Sequence, residues 1–213
     1  MKRIFLFLFS ITTFTLAANA QSAQYTEAME KQVAAIDKNA SSEELTQAGN
    51  TFERIAEVEK TQWLPYYYAA YCKVMQALSA KGNTIDALAD QAEQHAEKAE
   101  ALSKNNSEIA VIRSLIATAR INVDPMARGR KYGPISSGFL EAAKKYNADN
   151  PRIYMLEGQS LYYTPEQFGG SKVRAKEKFE LSLKKFSTFR PESSIAPHWG
   201  EEYTKKLLSS IGN

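Results

Sequence analysis

Small and apolar residues recur along this chain at helical spacing, and they do so in a repeating order. A signature, small or apolar at i, i+4 and i+7, occurs four times: Ala48, Phe52, Ile55; Ala92, Ala96, Ala99; Ile135, Phe139, Ala142; Ala175, Phe179, Ser182. Its first positions stand 44, 43 and 40 residues apart. A period in this range predicts stacked helical hairpins rather than a compact single-core enzyme, because each hairpin buries its apolar face only against its neighbours.

The stretches between signatures supply the partner helices. Residues 25–39 carry Ala28, Met29, Val33 and Ile36 on one face. Ser41-Ser42 followed by Glu43-Glu44 caps the next helix, which runs to about Lys60. Residues 66–79 are apolar almost all round, as are 108–123 and 153–163. Such helices are buried on more than one side. Each is followed by an amphipathic helix, at 84–103, 135–146 and 171–186. Residues 124–134 and 164–170, rich in Gly and Pro, read as connections, and 190–197 as an irregular linker before a last helix over 198–211. No segment shows sustained period-2 alternation, so no sheet is expected.

This grammar resembles the tetratricopeptide repeat. That family wants a small residue midway along its first helix and an Ala–aromatic–Ala series along its second. Gly158 and Leu161, then Ala175, Phe179 and Ser182, match best; Ser114 and Ala117 precede Ile135, Phe139 and Ala142, and Ala70 or Tyr71 with Val74 precedes Ala92, Ala96 and Ala99. The usual period is shorter, and the excess falls at 122–134 and 164–170. The resemblance spans about residues 25–210. It implies an all-α fold, a right-handed alpha-alpha superhelix of about four hairpins with a C-terminal capping helix. It also implies a concave groove lined by the inner helices.

The ends of the chain narrow the setting. Met1-Lys2-Arg3, an apolar run over 4–18 and Ala18-Asn19-Ala20 read as a secretory signal peptide over 1–20, leaving 21–213 as one helical domain. Cys72 is the sole cysteine and lies far from that site, so neither a lipoprotein anchor nor an intramolecular disulfide is available. An exported protein, periplasmic and with no membrane-crossing segment in its mature chain, is the expectation. Removing Lys2 and Arg3 lowers the formal charge from +3 to +1, which argues against a nucleic-acid partner.

Chemistry is sparse. His95 and His198 are the two histidines, and nothing pairs them with a nucleophile or a metal-ligand set. Phe168-Gly169-Gly170-Ser171-Lys172 lacks the length and the preceding strand of a phosphate loop. No catalytic residue, metal or cofactor is therefore expected. Arg128, Arg130 and Lys131 form a basic cluster on the 124–134 connection, a candidate for an anion. Tyr66, Tyr67, Tyr68, Tyr71, Tyr154, Tyr162 and Tyr163 crowd the inner helices. Tyrosine suits interfaces because it buries a ring and keeps a polar tip. The resemblance makes Tyr68, Arg152, Gln159 and Tyr162 the groove candidates. The leading reading is a non-catalytic exported scaffold that holds a protein or peptide in this groove. The alternative is a small-molecule binder or an enzyme on the same stack, which requires a pocket with converging polar groups.

Overall fold

A computed structural model describes residues 23–36 and 40–212, and every regular element among them is helical. The signal-peptide reading of 1–20 lies outside the described residues. The first helices are α1 (23–36), α2 (Ser42–Val58), α3 (Trp63–Ser79) and α4 (Thr84–Leu102). They are followed by α5 (Ser107–Ile121), α6 (Pro125–Tyr146) and α7 (Pro151–Tyr163). A 3-10 turn at Glu166–Phe168 leads to α8 (Lys172–Thr188), and α9 (Glu201–Ile211) closes the fold.

Local chemistry starts these helices. Ser41 and Glu44 form a reciprocal capping box on α2, with Glu44 N–H donating to Ser41 Oγ at 3.2 Å and Ser41 N–H to Glu44 Oε2 at 2.7 Å. Asn106, Asp124, Asn150 and Ser171 cap α5, α6, α7 and α8 through their side chains. Pro125 and Pro151 occupy the first turn, where no intrahelical N–H is needed.

Consecutive helices pack as antiparallel pairs, and α3 also touches α5 within one layer. The alternation in the sequence appears as two layers. Helices α3 and α5 each bury ten residues, on several sides. Helix α4 buries one stripe, Ile85, Ala89, Ala92, Ala96 and Ala99. Its alanines let neighbouring backbones approach. Gly158 does the same between α7 and α8: a Cβ there would meet Phe179 Cε1 at 2.6 Å. One apolar cluster runs from Met29 in α1 to Leu156 in α7, and a smaller one joins Ala175 and Phe179 of α8 to Leu207 of α9.

Two expectations are corrected. Residues 125–134 are not a connection but the first half of α6. Asp124 caps the segment, Pro125 suits its first turn, and Arg128 ties it to α4 by a 2.7 Å ion pair with Asp86. Arg128, Arg130 and Lys131 therefore lie on a helix, not on a loop. The third signature is also displaced by one residue. Ile135 is exposed, whereas Leu140 and Ala143 are buried and Ser136 bonds Ser114. The packed set is Ser136, Leu140 and Ala143, at the same i, i+4, i+7 spacing.

Candidate functional site

The segment 189–200 decides what the inner face offers. It forms no regular helix, yet Ile195 and Pro197 are buried. It folds back on α3, where the Tyr68 hydroxyl donates to the Ile195 carbonyl at 3.0 Å. The Trp199 indole N–H donates to the Tyr67 hydroxyl at 2.8 Å, and its ring lies 5.1 Å from that of Tyr71. More rings continue from there: Tyr67 meets Tyr68 and Trp63 edge-on, and Tyr68 stacks on Phe52 at 5.0 Å and 17°. Aromatic pairs at these separations add packing energy beyond their buried area.

At the rim, Val33 and Ile36 of α1, Tyr68 and Tyr71 of α3, and His198 and Trp199 of the connector line an aromatic cleft. Its cavity is only about 10 Å³. A pocket for a drug-sized ligand is about 300–1,000 Å³, so a large ligand enters only by parting α1 or the connector from α3. His198 Nδ1 is 3.1 Å from the Ala196 carbonyl. A carbonyl only accepts, so the proton sits on Nδ1 and a neutral ring carries its lone pair on Nε2. Among the described residues no group of three potential metal ligands exists.

Behind Trp199 lies a buried polar knot. Arg152 is completely buried, and its Nη1 donates to Glu108 Oε1 at 3.0 Å. Asn150 Nδ2 donates to the same oxygen at 2.9 Å and to Ser107 Oγ at 3.0 Å. Burial pushes the Glu108 carboxyl above its ordinary value, against the pull of Arg152. Burial, aided by the Glu108 charge, also pushes the Tyr67 phenol well up, so it is a neutral donor. A second cavity, about 70 Å³, lies between α4, α5 and α6 beside Arg113 and Phe139. Arg113 is held there by Glu93 at 2.6 Å and Glu100 at 2.7 Å.

Of the groove candidates, Tyr68 and Arg152 are brought to the same feature, the connector, one below Ile195 and the other below Trp199. Tyr162 belongs elsewhere: it packs in the smaller cluster beside α9 and accepts from Ser210 Oγ at 3.1 Å. Gln159 is half-buried on α7. Val33, Ile36, His198 and Trp199 were not among the sequence candidates. Pro191, Ile195, Pro197 and Trp199 in one linker were the available signal, since apolar side chains in an irregular segment must pack against something.

No protein-family model matches the chain, and no curated protein does. Among solved structures, the chain is similar to the HusA haemophore from Porphyromonas gingivalis, at 40% identity and a TM-score of 0.81. The match covers 88% of this chain and 92% of that one.

Proposed function

Because the chain belongs to the family of the HusA haemophore, we propose that it is an exported, non-catalytic protein that binds haem in the aromatic cleft between α1, α3 and the 189–200 connector. Identity of 40% over 88% of the chain carries this reading. The cleft supports it chemically. Haem is a flat apolar ring with two carboxylate arms, and Tyr71, Val33 and Ile36 present aromatic and aliphatic faces to such a ring. The small-molecule alternative thus displaces the peptide scaffold. Its physical reason is the connector, which already covers Tyr68 and Arg152 on the face a peptide was expected to fill.

Titration of the mature protein with haem, followed by the Soret band, tests the reading. Saturable one-site binding is expected. Most of the lining is apolar or aromatic, so burial of the macrocycle supplies most of the affinity. Tyr71→Ala should weaken binding about tenfold or more, the effect of about 1.4 kcal/mol. His198→Ala should weaken it less. A wild type that leaves the haem spectrum unchanged contradicts the proposal.

A further inference from the structure

Arg152 uses little of what it has. Its guanidinium is fully buried and makes one side-chain hydrogen bond, to Glu108. Nε and Nη2 have no hydrogen-bond partner among the described residues. Aromatic faces stand where acceptors belong: the guanidinium carbon is 5.0 Å from the Phe189 ring, 5.1 Å from Trp199 and 5.8 Å from Phe186. Such faces attract the charge but accept no strong directional N–H bond. A buried arginine held only for stability is a poor choice, since an apolar replacement of similar volume often serves the fold as well.

The two idle donors are the side-on pair of the guanidinium, parallel and spaced for the two oxygens of one carboxylate. What covers them is movable in kind. Phe189 and Trp199 are the two ends of the irregular connector, and Gly200, at φ 110°, joins it to α9. The Trp199 ring contacts both Tyr71 in the cleft and Arg152 behind it.

Building on the haem-binding reading, we propose that Arg152 is the carboxylate-binding residue of the site. A porphyrin entering the cleft displaces the Trp199 indole, takes its place against Tyr71, and sets one propionate on Nε and Nη2. Glu108 keeps Nη1, so the guanidinium ends with its acceptors in place. The ligand class is a planar tetrapyrrole with at least one free carboxylate arm.

The test compares deuteroporphyrin IX with its dimethyl ester in the same buffer and detergent. The wild type should bind the diacid about tenfold to hundredfold more tightly, as a charge-assisted hydrogen-bond pair implies. Arg152→Met combined with Glu108→Gln, which avoids stranding a buried carboxylate, should bind both alike at the affinity of the ester. Arg152→Lys should restore part of the preference. Amide exchange over 190–200 should accelerate when the diacid binds. Equal affinity of the wild type for diacid and ester overturns the role of Arg152, as does a preference that survives in the double variant. Exchange that stays constant or slows overturns the displacement of Trp199. If the wild type binds neither porphyrin, the haem reading itself fails.

Discussion

At the scale of single residues, this protein is governed by close approach and by burial of ionisable groups. Gly158 is the clearest case of approach, because α7 and α8 meet where its side chain would be. Gly158→Ala should cost about 1–3 kcal/mol through overpacking against Phe179, read as a lower midpoint in thermal or urea unfolding. His95, half-buried, shows burial acting on a group that titrates near neutral pH. Burial holds its imidazole below the ordinary value of 6.5, more strongly than the Glu53 carboxylate at 3.1 Å raises it. A histidine depressed in the fold contributes stability above its unfolded pKa, and that contribution is lost as pH falls through the lower folded value. Stability should therefore drop between pH 7 and pH 5, and the drop should be smaller in His95→Gln. Urea titrations at the two pH values check this, and equal drops would contradict it. Gly158 and Phe179 were legible in the sequence through the repeat resemblance, which implies a small residue in the first helix of a hairpin and an aromatic in the second. The depression at His95 was not, since it comes from burial against neighbouring helices, which spacing along one helix does not record.

At the scale of elements, α6 is the informative one. Gly129, Gly133, Pro134 and Gly138 give it the composition of a loop, and it folds as a 22-residue helix nonetheless. A cap, a first-turn proline and the Arg128–Asp86 pair outweigh weak propensity. The same weakness explains the one-residue error in its register. With few apolar residues to choose from, Ile135 and Phe139 looked like the buried stripe, whereas Phe139 packs beneath the Arg113 guanidinium, 4.8 Å from its ring. A Cβ at Gly129 or Gly133 would meet nothing within 4 Å. Gly129→Ala and Gly133→Ala should each stabilise the protein by about 0.5–1 kcal/mol, visible as a raised midpoint. A loss of stability at either position would show that this half of α6 needs its glycines for another reason.

At the scale of the whole molecule, a stack of hairpins is stabilised mainly between nearest neighbours. The connector breaks that rule. It joins the far end of the chain to α3 through bonds spanning 127 and 132 residues. Trp199→Ala should therefore accelerate amide exchange in α3 as well as in α7 and α9. Exchange confined to α7, α8 and α9 would show that the connector lies on α3 without supporting it. Among the described residues no helix is long and apolar enough to cross a membrane. The export reading rests instead on the N-terminal sequence and on the haemophore relationship.

Apart from the first half of α6 and its Asp124 cap, the order of helices, their caps, the alternation of inner and outer layers and the small residues between them follow from the sequence alone. Each depends on residues within a few turns of one another, where spacing is a sufficient guide. The covering of Tyr68 and Arg152, the cleft under Trp199 and the idle donors of Arg152 were decided only by the tertiary structure. They arise where an irregular segment returns across the stack, and no local periodicity records where such a segment lands.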